Sequence, residues 1–311
     1  MGRSSGDRSF ARGVSGITSL HASVRQNPPA SKWNVTIRAL FRSSALVVAG
    51  LVPLAAAGDG LALGDVTVTV DAHTGVATIT GTDSADDVTV TWDGVDGAYT
   101  ITGGAGTTIG GASSVSVTGV KSFVVTMGAG DDRVTFDHTP IPRDLNVHLD
   151  EGDDSLELVG VTVRGRTKLF GGPGNDSIVV RDQSDFRKSL AIRGDRGDDT
   201  IIVKTTKFHD YVRIDGGPGA DHLTLASDLL NGPADLAILG HDGNDWLGIS
   251  GCRFLQPVWV NMGRGSDLLT IEWTDFHDAV RLYGGGADDA LYLKQIDWSR
   301  NDPIRIEEFE R

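Results

Sequence analysis

The stretch GGPGNDSIVV, Gly171–Val180, decides the fold: a glycine-rich turn closes on one aspartate, and alternating apolar residues follow. Aligned on Asp176, the same pattern returns at Asp132, Asp154, Asp199, Asp221, Asp245, Asp267 and Asp289. From Asp132 onward the intervals are 22, 22, 23, 22, 24, 22 and 22 residues. A fixed period in this range marks a solenoid, in which each repeat buries its apolar face only against its neighbours.

Each repeat has the same internal grammar. Two and four residues after the aspartate stand apolar side chains, as in Ile178 and Val180 or Leu223 and Leu225. A second alternating pair precedes it by nine and seven residues, as in Leu190 and Ile192 or Val258 and Val260. A period of two is the signature of a strand with one inward face. A third inward position follows about nine residues after the aspartate: Ile141, Val163, Phe186, Phe208, Leu230, Phe254, Phe276 and Trp298. Its regularity predicts a third wall or corner, with large side chains stacked as core rather than as a ligand platform.

Strands that recur in one order, with no helical segment between them, stack in parallel. The expectation is an all-β chain, a right-handed parallel β-solenoid of ~22-residue coils, with handedness taken from the chirality of parallel crossovers. Eight coils would extend about 40 Å. Residues 58–120 keep the pattern loosely: Ala77, Ile79, Asp86, Val88 and Val90 fit, while Thr108 and Gly110 break it. They read as an N-terminal β cap with hairpin turns at Asp93-Gly94 and Asp96-Gly97, and residues 121–311 as the solenoid with a short C-terminal cap.

Composition agrees. Of 311 residues 41 are Gly and only 6% are aromatic, and the glycines follow no three-residue collagen period. Residues 1–57 differ from the rest: basic residues Arg25, Lys32, Arg38 and Arg42 lead into an apolar run from Ala45 to Leu54 and a small-residue exit, Ala55-Ala56-Ala57. That run is short for a bilayer span and reads as a leader with a cleaved export signal, placing the mature chain in the medium, on the cell surface or in the periplasm. No other segment reads as membrane-spanning. Removing residues 1–57 takes 7 of the 28 Lys and Arg and 1 of the 42 Asp and Glu, leaving a net charge of −20. So acidic a chain disfavours nucleic acid and anionic membrane and attracts multivalent cations. One cysteine, Cys252, permits no internal disulfide.

The six residues ending at each aspartate read MGAGDD, LDEGDD, GGPGND, GDRGDD, GGPGAD, GHDGND, MGRGSD and GGGADD. The last is always Asp, and the third from last is Gly in seven copies of eight. Stacked once per coil, the aspartates form a column of like charges at about 5 Å spacing, for which a cation in each gap is a remedy. Ca²⁺ takes six to eight oxygen ligands, and glycine lets a loop turn its carbonyls inward. The alternative is a metal-free turn whose aspartate caps backbone groups.

At these loops the sequence resembles the glycine-rich calcium-binding repeats of hemolysin-type (RTX) proteins, pattern GGxGxDxUx with U apolar. The match is close over Gly171–Val179 and Gly216–Thr224 and partial in the other copies. The resemblance implies calcium between neighbouring loops. The aspartates 132, 154, 176, 199, 221, 245, 267 and 289 would bind it, with Gly171, Gly172, Gly174, Gly216, Gly217 and Gly219 shaping the loops. Eight loops give up to seven sites. The chain departs from that family in carrying one loop per 22 residues, so metal would line one side only.

The resulting expectation is a non-enzymatic, calcium-stabilised scaffold with a structural or adhesive role, meeting extracellular polysaccharide or a cell-surface protein. The alternative is a carbohydrate-active β-helix enzyme of polysaccharide-lyase type. That would need a non-repeating acid, base and arginine constellation, and the aligned positions show none. His209 with Arg213 and His277 with Arg281 are copies of one corner, three coils apart.

Overall fold

The computed structural model describes residues 17–26, 33–41, 64–94, 96–227, 229–230, 235–298 and 304–309. The chain divides into two compact units, Met1–Leu46 and Val47–Arg311. In the first, strands Ile17–Gln26 and Trp33–Phe41 pair antiparallel. The expected export signal around Ala45–Ala57 lies outside the described residues.

The second unit is a parallel β-solenoid, and no described residue is helical. Three sheets form its walls, of 11, 8 and 12 strands. The first wall is built from the strands after each aspartate, in the register Val134↔Leu156↔Ile178↔Ile201↔Leu223↔Leu247↔Leu269↔Leu291. The third wall holds the strands before each loop, from Leu145↔Thr167↔Leu190 through Val280↔Ile304. Register shifts by one repeat between neighbours, so every inward position meets its own copy.

The second wall is the predicted corner, two residues per coil. Its inward residues pair as Phe186↔Phe208 and Phe254↔Phe276↔Trp298, with ring centroids 6.1, 5.3 and 4.9 Å apart. All four phenylalanines are buried. Truncating one to Ala would cost about 3–5 kcal/mol by lost transfer energy and cavity formation.

The N-terminal region contains one further coil as well as hairpins. Val76–Thr80 and Asp87–Trp92 pair in parallel with Ser122–Thr126 and Arg133–Asp137, so residues 76–92 continue two walls. Where the corner strand would come, the chain instead carries an insertion: Tyr99–Gly103 and Ser114–Val117 add antiparallel to the end of the first wall, and Thr107–Ile109 between them pairs in parallel with Gly64–Val70 at the end of the third. Tyr99 packs edge-on to Phe123, and its hydroxyl donates to the Pro140 carbonyl beneath the end of the corner sheet. The insertion that breaks the repeat therefore closes the end of the core. Antiparallel strands at a sheet's end also stop further parallel pairing.

Candidate functional site

The loops between third and first walls stack into one column, and the eight aspartates and six glycines named above all lie in it. The aspartates at 132, 154, 176, 199, 221, 245, 267 and 289 are only 1–2% exposed. The Oδ1 of each accepts the backbone N–H of the preceding coil's aspartate, at 2.7–2.9 Å. Asp86 joins the ladder by donating its N–H to Asp132 at 2.7 Å and is itself 2% exposed, so the column has a ninth member.

The second carboxylate oxygen is different. Oδ2 of all eight aspartates is buried and has no hydrogen-bond donor. Leaving one buried acceptor unpaired costs about 1–3 kcal/mol, and more for a charge. Burial, opposed by the backbone bond and reinforced by neighbouring carboxylates, pushes Asp199 up to about 8 and Asp132, Asp176 and Asp245 up to about 7. For Asp154 and Asp221 the same burial gives about 6, and Asp267 is raised as well.

The glycines act at three loop positions. A Cβ on Gly171 would stand 2.2 Å from Asp176 Oδ2 and 2.5 Å from the Gly194 carbonyl oxygen; on Gly216 it would stand 2.1 Å from Asp221 Oδ2. First-position glycine thus leaves space for the unpaired oxygen. At the second position, Gly172 and Gly217 have φ of +126° and +113°, and a Cβ would lie 1.8 Å from the Asp150 or Asp195 carbonyl oxygen. At the fourth, Gly174 and Gly219 press in the same way on the carbonyls of Gly152 and Gly197, again at 1.8 Å. Close coil stacking, as well as turn shape, demands these glycines.

Two features of the column escaped the sequence reading. At the second position, non-glycine residues alternate with glycine: Asp150, Asp195 and His241 hold positive φ of 72°, 78° and 85°, and each is followed one coil later by Gly172, Gly217 or Gly263. The fifth position, which looks freely variable, carries an outer ladder. Asn175, Asp198, Ala220 and Ser266 donate their N–H to Oδ1 of Asp153, Asn175, Asp198 and Asn244 at 2.7–2.8 Å, in the opposite direction to the inner ladder. The prevalence of Asp and Asn there was the available signal.

As a cation site the column offers hard oxygens only: the unpaired carboxylate oxygens, with backbone carbonyls close by. That donor type suits Ca²⁺. Among the described residues no three His, Cys, Asp or Glu converge on one point. A metal between two coils would therefore draw most of its ligands from carbonyls and at most two from aspartates.

Beside the column, the outer face of the third wall holds a charged cluster that no spacing argument revealed. Asp215, 4% exposed, lies 2.6 Å from Arg213 Nη2, 2.7 Å from His241 Nε2 and 4.0 Å from Arg193 Nε. These groups come from three successive coils and do not recur elsewhere among the described residues. His209 and His277 remain on separate coils, as expected. Cys252 is buried at 2% exposure. No family model, curated protein or solved structure matches this chain.

Proposed function

We propose that this chain is an exported, calcium-stabilised β-solenoid of hemolysin-type-repeat character, with a structural or adhesive role. The observation that carries the reading is the row of buried Oδ2 atoms without donors. A buried anion persists only when compensated, and a divalent cation shared between coils compensates two at once. A turn needing only the backbone bond to Oδ1 would accept Asn, yet the position is Asp in every copy. Because metal would bind the stacked coils and not the unfolded chain, binding energy becomes folding energy. The test is thermal melting of the full chain in calcium and in chelator. Calcium raises the melting temperature; identical melts would end the calcium reading.

One observation favours a second reading, a carbohydrate-active enzyme. The buried Asp215 carboxylate holds Nε2 of a half-exposed His241, which leaves Nδ1 available as a base, with Arg193 and Arg213 alongside to receive an anionic group. Appearance of unsaturated products from acidic polysaccharides, lost in His241→Ala, would establish that activity.

A further inference from the structure

We propose that the outer face of the third wall, around Trp259, Arg281 and Arg305, binds an extended anionic polysaccharide through stacking and carboxylate pairing. This deepens the scaffold reading by naming its partner class, and it does not depend on calcium. Three observations carry it.

The first is charge. The chain has net charge −14, yet the outward column Asn146, Lys168, Ala191, Arg213, Ala237, Trp259, Arg281, Arg305 contains four basic residues and no acid. Arg281 and Arg305 are exposed and form no ion pair among the described residues. Unpaired guanidinium groups in a row offer planar, two-point recognition of carboxylates.

The second is aromatic exposure. Trp259 is 43% and Tyr211 40% exposed; the other exposed aromatic side chains among the described residues, Trp92, Trp273 and Tyr292, lie in or just after first-wall strands. Trp259 stands one rung from Ala237, and the two line the same hollow. An indole presented this way has an apolar face for the C–H side of a sugar ring and a polar edge for hydroxyls.

The third is shape. Two adjoining hollows, of about 320 and 460 Å³, share Trp259 and Arg281 as walls. One continues toward Tyr283 and Arg305, the other toward Tyr211. Their only acids, Glu307 and Asp235, stand in different hollows. Trp259, Arg281 and Arg305 occupy successive rungs about 4.8 Å apart. That spacing is close to the length of one pyranose unit in an extended chain, so consecutive uronates can meet consecutive rungs.

The experiment is calorimetric titration of the full chain with a defined oligogalacturonate, its methyl ester, and dextran, with melting curves in calcium and chelator on the same samples. The acid oligomer is expected to bind, and the ester and dextran not. Trp259→Ala and Arg281→Gln with Arg305→Gln should each weaken binding by about tenfold or more, or about 1.4 kcal/mol. Their melting curves should stay unchanged, because all three side chains are exposed. Absence of binding by folded wild-type chain, equal binding of the ester, or binding indifferent to these substitutions would each overturn the proposal. The calcium reading would stand or fall on the melts alone.

Discussion

The inner and outer ladders occupy adjacent loop positions and make the same bond, a side-chain oxygen accepting a neighbour's N–H. They differ in burial. The outer ladder is exposed, runs toward one end, and is interrupted at Ala220; the inner is buried, runs the other way, and is Asp at every coil. Asn satisfies the bond outside, at Asn175 and Asn244, and never inside. The shared hydrogen bond therefore does not explain the inner aspartates. What distinguishes them is the second, buried oxygen.

The largest expected effect removes the stacking on which both ladders depend. A Cβ at Gly174, φ +148°, would lie 1.8 Å from the Gly152 carbonyl oxygen, and Asn175 and Asp176 follow directly. Gly174→Ala should destabilise by about 3 kcal/mol or more in urea unfolding, since strain and separated coils act together. Gly97→Ala, φ +65° with nothing within 4 Å, should cost only about 1–2 kcal/mol. Equal losses would mean that conformation alone, and not coil contact, selects glycine.

Asp176→Asn sharpens the comparison itself. The substitution keeps the Oδ1 acceptor for Asp154 N–H and replaces Oδ2 by an uncharged N–H₂ in the space that Gly171 leaves. In chelator the variant should match or exceed wild type, because a buried charge is gone. In calcium it should forgo stabilisation of about 2.7 kcal/mol per site at a hundredfold excess over the dissociation constant. Asp153→Asn, in the outer ladder, should keep the full calcium response. Identical calcium responses from the two variants would remove the special role of the inner oxygen.

Much of this was legible in sequence, and particular residues show why. The walls could be read because Ile178 and Val180 repeat at a spacing set by the pleat, and the corner because Phe186, Phe208, Phe254 and Phe276 recur in step. The aspartate column followed from the period alone. What stayed hidden were contacts between coils whose chemistry tolerates substitution. Asp, Asn, Ala and Ser at the fifth position look like noise until the bond direction is known. The cluster at Asp215 was invisible because it is assembled from unlike residues on three coils, and a search for repeats discards such residues. The cap looked like lost pattern because its first coil carries Tyr99–Val117 as an insertion whose strands extend two different walls.

Acidity gives the next effect. Folded-state values of about 6 to 8 lie above the ordinary 3.8, so between these limits the folded chain holds more protons than the unfolded one. Stability in chelator is then greatest at low pH as far as these groups are concerned, and it is lost as pH rises from about 4 through about 8. Calcium requires the carboxylates ionised, so it should flatten or reverse that slope above about pH 7. Melting temperatures across pH, with and without calcium, read this directly. A rise in stability from pH 5 to 8 in chelator would contradict burial of uncompensated carboxylates.

The smallest effect lies in the outer ladder, and Ala220 permits a test in both directions. It accepts no bond from the next coil because it has no side-chain oxygen, whereas Asn175 accepts from Asp198 at 2.8 Å. Asn175→Ala should therefore lose one exposed rung, about 0.5–1 kcal/mol, and Ala220→Asn should recover about as much by serving the Asn244 N–H. Neither should alter the calcium response or the pH slope, since Asp176 and Asp221 keep their own bonds to Asp199 and Asp245. If Ala220→Asn shifted the calcium response, the two ladders would be one cooperative unit, and the fifth position would belong to the metal site rather than to the coil's outer seam.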